Sequence, residues 1–183
     1  MTASLNFVNA RFWTWLERAS WIWIVLGVPL FFVEHHLQLE RDRATATLEF
    51  VKRYQDSQIV SERFALLAPW MQYNIEEFRL AKPSPQAIED LVLKLVNASP
   101  TSGPRDMREA IFSIVDFYET LQICVNAGRC DPALAVSYFG QYAKQFYCLY
   151  KPYIFKLRHD QNIPTYARRL EQLAEGEGAC DRE

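Results

Sequence analysis

The sequence lacks an excess of charge of either sign, since 20 Lys and Arg face 22 Asp and Glu for a formal net charge of −2. This balance excludes a generic basic nucleic-acid-binding protein. Six Gly and nine Pro are too few for a collagen-like or a low-complexity chain, and four Cys in 183 residues are too few for a small disulfide scaffold. Half of the residues are hydrophobic and 14% are aromatic, so the chain is apolar enough to fold around a core.

Motifs of familiar enzymes are also missing. The chain has no Gly-rich phosphate-binding loop, no G-x-S-x-G, no H-E-x-x-H and no closely spaced cysteine pair. We therefore assign no catalytic residue and expect no cofactor. An enzyme is the weaker hypothesis, although an unfamiliar active site stays open.

An uncharged run of 15 residues, 19–33, is the candidate membrane segment. As a helix the run is about 22 Å long, short of a hydrocarbon core of about 30 Å, whereas residues 12–33 span about 33 Å. We predict one spanning helix over 12–33 within an anchor region 1–36. The alternatives are an interfacial helix in the membrane plane and a buried core helix. The side chains expected to contact the membrane are aromatic: Trp13, Trp15, Trp21, Trp23, Phe31 and Phe32.

Residues 37–175 show the 3.6-residue apolar period of helices, and no window alternates convincingly with period two. We therefore predict an all-α fold, a transmembrane helix followed by a helical bundle, with a flexible acidic tail over 176–183. Gly128 is typical of a helix end, and Asp131 followed by Pro132 is typical of a helix start.

The turn around Gly128 joins two long helices, which predicts an antiparallel helical hairpin over 105–158. Its second helix carries a dense aromatic stripe, which is more often a packed core than a cofactor pocket. The side chains of this predicted core face are Ala135, Tyr138, Phe139, Tyr142, Phe146, Leu149 and Tyr153.

At this hairpin the sequence resembles an uncharacterised bacterial family of short proteins, which have one N-terminal membrane helix and a helical domain of unknown function. The residues that carry the resemblance are AIFSIVDFYETLQICVNAGRCDPALAVSYFGQYAKQFYCLYKPYI over 110–154 and, more weakly, ATLEFVKRYQDSQIVSERFALL over 46–67. The resemblance implies a membrane-anchored helical fold. It implies no activity and no catalytic residue.

The charges that flank the uncharged run predict an orientation. Two Arg precede the run and four basic residues follow it, Arg41, Arg43, Lys52 and Arg53. Because positive charge is enriched on the cytoplasmic side, we predict a single-pass protein of the bacterial inner membrane with its C-terminal domain in the cytoplasm. All four Cys would then be thiols. In an oxidising compartment, Cys124 and Cys130 could instead bridge the hairpin turn.

A candidate partner surface lies on the first hairpin helix. Phe112, Asp116, Glu119 and Ile123 recur at i, i+4, i+7 and i+11, and they share the face away from the apolar stripe. Two large apolar residues beside two carboxylates favour a docking surface for a protein. The alternative is an ordinary solvated flank.

A candidate basic face lies on the second hairpin helix, where Lys144, Lys151 and Arg158 repeat every seven residues. Such a face is usually only solvated. The functional alternatives are contact with anionic lipid headgroups, with an acidic partner or with nucleic acid, of which nucleic acid is the least expected. The acidic residues near the C-terminus could also fold back onto this face: Glu171, Glu175, Glu177, Asp181 and Glu183.

Three side chains next to the predicted anchor are weak candidates for metal ligands: His35, His36 and Glu40. His36 and Glu40 lie four residues apart on one helix face and could supply two ligands. Two ligands do not make a site, so we expect no bound metal, and interfacial side chains are the alternative.

These patterns favour a single-pass membrane-anchored helical protein that acts through protein contacts. It would be an accessory or scaffold subunit of a larger bacterial membrane complex, with the lipid bilayer and the other subunits as partners. Two alternatives stay open. One is a metal- or haem-associated redox component, and the other is a sensor of anionic lipid or nucleic acid through the basic face.

Overall fold

The structure, a computed structural model, describes residues 5–72, 84–98, 106–175 and 180, with side chains from residue 28 onward. This part of the chain is helical and contains no strand, which confirms the predicted all-α class. Its helices are α1 (Leu5–Tyr54), α2 (Ser57–Gln72), α3 (Pro85–Ala98), α4 (Met107–Asn126), α5 (Pro132–Ala135), α6 (Gln141–Asp160) and α7 (Arg168–Glu175), and a π-helical segment (Val136–Gly140) lies between α5 and α6.

The chain divides into two compact units, Met1–Asp42 and Arg43–Glu183. In the part that the structure describes, the first unit consists of residues of α1. Its apolar side chains from Val28 to Val33, including Phe31 and Phe32, expose half of their surface or more.

The predicted membrane helix is not supported by the structure. Within the described ranges, no helix is both long enough and apolar enough to cross a membrane. Most of the predicted span, 12–27, lies outside the described side chains. The predicted membrane contacts of Trp13, Trp15, Trp21 and Trp23 therefore also lie outside them.

Local capping signals determine where the helices of the hairpin begin and end. The Asp131 carboxylate accepts a hydrogen bond from the backbone N–H of Leu134 at 3.0 Å, and Pro132 occupies the first turn of α5. Gly128, two residues after the end of α4, has a φ of 67°, a left-handed conformation that favours glycine. The predicted helix start and the predicted helix end are both confirmed.

The hairpin is antiparallel. The rings of Phe117, in the C-terminal half of α4, and Phe139, just before α6, lie 5.5 Å apart between centroids. At the other end, Tyr153 of α6 lies near Arg108 at the start of α4. Burial raises the pKa of Tyr153, and the Arg108 charge offsets part of that rise.

The buried face of the second hairpin helix matches the predicted one only in part. Ala135, Phe139 and Tyr153 are buried as predicted, and Phe146 and Leu149 are partly buried against the core. Tyr138 and Tyr142, both predicted in the core, expose 46% and 51% of their surface. The π-helical segment accommodates more residues per turn than an α-helix, so a stripe counted from Ala135 with a 3.6-residue period is displaced by about one residue. The buried side chains of α6 are Ala143, Tyr147, Tyr150, Tyr153 and Ile154.

A cluster of aromatic rings forms the centre of the second unit. Tyr54, the last residue of α1, contacts Phe117 and Phe139 with centroid distances of 5.2 and 5.4 Å. The hydroxyl of Tyr118 donates to the hydroxyl of Tyr54 at 3.4 Å. Burial, followed by the proximity of Tyr54, raises the pKa of Tyr118 well above its ordinary value. This aromatic density belongs to the packed core.

One buried hydroxyl connects α1 to the start of α5. The Oγ1 atom of Thr47 donates to the carbonyl of Arg43 at 2.9 Å and accepts from the backbone N–H of Asp131 at 2.8 Å. Thr47 is fully buried. We expect Thr47→Val to lower the free energy of unfolding by about 1–3 kcal/mol, because the N–H of Asp131 loses its acceptor without a change in side-chain size.

Urea titration of the purified protein measures this loss. Thr47→Ser keeps the hydroxyl and removes one methyl group, so it separates the hydrogen bond from packing. Equal stability of Thr47→Val and the wild type would show that the bond contributes nothing.

Candidate functional site

The predicted partner surface on α4 is partly open. Phe112, Asp116 and Ile123 are exposed. The Phe112 ring packs edge-on against Tyr166, with centroids 5.5 Å apart, so one side of this ring contacts the segment that leads into α7 while the side chain stays 39% exposed.

Glu119, the fourth residue of that surface, is engaged within the molecule. Its carboxylate accepts hydrogen bonds from the backbone N–H groups of Arg169 and Leu170 at 2.7 and 3.1 Å. It also pairs with the guanidinium of Arg169 at 3.2 Å. A carboxylate at the first N–H groups of a helix satisfies donors that have no acceptor within the helix. Glu119 therefore attaches the start of α7 to α4, a role that its own helix pattern does not indicate.

Asp116 lines a small polar cavity of about 120 Å³. The cavity contains two carboxylates and one guanidinium, which favours a cationic group over an anionic one. Asp56 already accepts from the backbone N–H of Ser57 at 2.6 Å, which orients its carboxylate. The residues that line the cavity are Arg53, Asp56, Gln58, Ile59, Ser113, Asp116 and Phe117. Sequence reasoning found Asp116 but not Asp56, which lies 60 positions earlier.

One of the three residues of the predicted basic face, Arg158, is engaged within the molecule. The guanidinium of Arg158 pairs with Glu171 at 2.9 Å and donates to the backbone carbonyl of Tyr166 at 2.7 Å. The ammonium of Lys151 lies 5.5 Å from the centre of the Phe155 ring. Lys144 is half-buried. Arg158 thus serves packing within the unit, and the expected contact of the acidic C-terminal residues with this face is present at Glu171.

Glu171 is the second point at which α7 is held. Its carboxylate accepts from the hydroxyl of Tyr147 as well as from Arg158. Burial opposes ionisation of Glu171, but the hydrogen bonds from Tyr147 and Arg158 outweigh it and lower the pKa of the carboxyl. Burial, together with the Glu171 charge, raises the pKa of Tyr147.

The three candidate metal ligands do not form a cluster. His36 and Glu40 form an exposed i, i+4 pair with 3.4 Å between Nε2 and Oε1. The ring of His35 stacks on Phe31 at 6.0 Å. In the ranges that the structure describes, no group of three or more His, Cys, Asp or Glu is placed to hold a metal ion.

A feature that sequence reasoning missed is a row of exposed apolar side chains on α2, which we call the α2 stripe. It consists of Phe64, Leu67 and Met71, which expose 62%, 49% and 75% of their surface. The opposite side of α2 buries Ile59 and Leu66 in the core. Because α2 is apolar on both sides, periodicity alone does not separate its core face from an exposed one. The available signal was the i, i+3, i+7 spacing of the stripe.

The Glu171 interactions predict a pH dependence. The folded pKa of Glu171 lies below its ordinary value of 4.5, so its ionised form stabilises the fold. This stability is fully present above the unfolded pKa and is lost as the pH falls through the folded pKa. We expect Glu171→Gln to lower the free energy of unfolding by about 1–3 kcal/mol at pH 7, and by less towards pH 3.

Urea titrations at pH 7, 5 and 3 measure this difference. Glu175→Gln removes the same charge from an exposed position of the same helix and serves as the control. An equal loss for Glu171→Gln at all three pH values would show that the carboxylate charge is not its source.

The comparison with known proteins identifies a family and no activity. No curated protein and no solved structure matches the chain significantly. A family model described as a domain of unknown function, DUF4760, matches residues 3–176. The predicted resemblance to an uncharacterised family is confirmed at this level, and the chain belongs to the DUF4760 family.

Proposed function

We propose that the protein is a membrane-anchored accessory or scaffold subunit of a larger bacterial membrane complex and acts through protein contacts. The observation that carries this proposal is the α2 stripe. Exposed apolar side chains are ordinarily scattered singly, whereas a contiguous apolar patch marks an interaction site. The three stripe residues occupy consecutive turns of one helix, the pattern by which an apolar groove or helix recognises a partner helix.

The open part of the α4 surface supports a second contact. Phe112 and Ile123 offer apolar area, and the cavity beside Asp116 carries a surplus of one carboxylate. A lysine or arginine of a partner protein suits such a cavity. Apolar contact area beside one charged anchor is a common composition of protein interfaces.

The proposed membrane attachment rests on the first unit. Its exposed apolar side chains, from Val28 to Val33, continue the uncharged run that begins at residue 19. Covering these apolar side chains with lipid or with another protein is favourable, because it removes their surface from water. We propose that the bacterial inner membrane covers these side chains. The segment would attach either as a spanning helix or as a helix in the membrane plane.

The two alternative functions differ in support. A sensor of anionic lipid or nucleic acid is less favoured, because Glu171 and the Tyr166 carbonyl engage Arg158. The redox alternative through His35, His36 and Glu40 stays a prediction, and metal analysis with an absorption spectrum of the purified protein tests it.

A paired comparison tests the docking proposal. The full chain, tagged and expressed in its native host, is extracted from membranes in mild detergent, and the proteins that co-purify in fixed stoichiometry are quantified. We expect Phe64→Ser/Leu67→Ser/Met71→Ser to reduce this co-purification at least tenfold, because polar side chains remove the apolar contact area. Its thermal unfolding should stay unchanged, since the three residues lie outside the core.

Phe112→Ser/Ile123→Ser is the matched variant for the α4 surface. Retention of all partners by both variants would overturn the assignment of the docking surfaces. A wild-type protein that is extracted alone would overturn the subunit proposal itself.

A further inference from the structure

All four cysteines are paired within the second unit. Cys124, near the end of α4, is bonded to Cys130 in the turn before α5, with 5.2 Å between their Cα atoms. Cys148 of α6 is bonded to Cys180, with 5.4 Å between their Cα atoms. Both distances lie within the 4.4–6.8 Å range of protein disulfides, and no cysteine of the chain is left as a thiol.

The hairpin turn brings the first pair together independently of the sulfur chemistry. The backbone N–H groups of Arg129 and Cys130 donate to the carbonyl of Cys124 at 3.0 and 3.1 Å. Cys130 is fully buried. The bond therefore closes a turn that backbone hydrogen bonds already shape, and its Cys130 half lies in the core.

The second pair depends on the position of α7. Glu119 and Glu171 hold this helix against α4 and α6, and Leu170 and Leu173 are buried beneath it. Cys180 lies five residues beyond α7 and packs against the core next to Cys148. Sequence reasoning left Cys180 unassigned in a flexible tail because the folding back of α7 has no local signal.

The separation of the paired cysteines in the sequence is typical of structural disulfides and not of catalytic ones. Neither pair has the Cys-x-x-Cys spacing of catalytic dithiols, since 6 and 32 positions separate the partners. Structural disulfides form and persist in oxidising compartments, whereas reducing systems keep cytosolic thiols reduced. Four cysteines that form two bonds, with no thiol left over, indicate a domain adapted to an oxidising compartment.

We propose that the unit Arg43–Glu183 matures in an oxidising compartment, where a thiol–disulfide exchange protein installs both bonds. For each bond, two thiols lose two electrons and two protons, and the disulfide of the exchange protein is reduced to a dithiol. The cysteines thus identify a transient partner class that neither the family nor the fold names. This inference is independent of the proposed function.

The inference also reverses the orientation predicted from flanking charges, where the protein is attached to a membrane as proposed. Arg43, Lys52 and Arg53 belong to the folded second unit. Positive charges orient a membrane protein mainly in short loops, and folded domains are translocated largely regardless of charge. Because Arg43 lies within about 15–20 residues of the run it still counts, so two Arg precede the run and two follow it, and the flanking charges no longer favour a cytoplasmic C-terminal domain.

Thiol counting in cells tests the proposal. Cells of the native host that express the full chain are quenched with acid, and thiols are blocked with N-ethylmaleimide. Disulfides are then reduced, and the new thiols are labelled with a polyethylene-glycol maleimide that shifts the gel band once per label. We expect four labels after reduction and none without it, and two labels for Cys124→Ser/Cys130→Ser and for Cys148→Ser/Cys180→Ser.

Non-reducing peptide mapping by mass spectrometry then assigns the pairs. Blocking of all four thiols before reduction would overturn the proposal, and two labels in the wild type would overturn it for the pair that is not oxidised. A cytosolic protein with an exposed cysteine in the same lysate controls for oxidation after quenching. A host without its main disulfide-exchange protein should yield at most half of the four labels.

Discussion

The ring of Tyr54 packs against Phe117 and Phe139, and these two rings also meet each other at 5.5 Å. Three elements that are distant in the sequence, α1, α4 and the π-helical segment, therefore share one contact. The guanidinium of Arg63, on α2, lies 4.9 Å from the centre of the Tyr54 ring and adds a fourth element. An aromatic pair contributes about 0.5–1.5 kcal/mol beyond the area it buries. Within this group of three, each ring contacts both of the others, so its loss would loosen two elements at once.

Local features were predictable because their causes are local. Capping at Asp131, the proline that follows it and the glycine after α4 act within a few residues, and each occurs where expected. The π-helical segment has no comparable signal. The stripe that was extended through it therefore placed Tyr142 in the core and left Tyr147 out of it, the reverse of the observed burial.

The sequence predicts the faces of the candidate sites and offers Glu171 as a possible partner of the basic face, but it does not predict the contact of Glu119 with α7. Periodicity correctly removes Glu119 and Arg158 from the main apolar stripes. Their partners, Arg169 and Glu171, lie 50 and 13 positions away and are brought close by the folding back of α7. A charge on a helix face is available to a ligand when the rest of the fold leaves it unpaired, and the helix pattern around Glu119 does not indicate its pairing with Arg169.

The disulfides and the α2 stripe lie on different elements of the unit. Cys148 and Cys180 close the region where Leu170 and Leu173 are buried, whereas the stripe projects from α2 outside the core. A domain closed by such bonds keeps its shape without a partner, because a cross-link reduces the entropy of the unfolded chain. Docking on the stripe then needs little rearrangement of the backbone, as is usual for interfaces between preformed domains. The same sequence thus separates the source of stability, the aromatic core with its disulfides, from the apolar surface available for recognition.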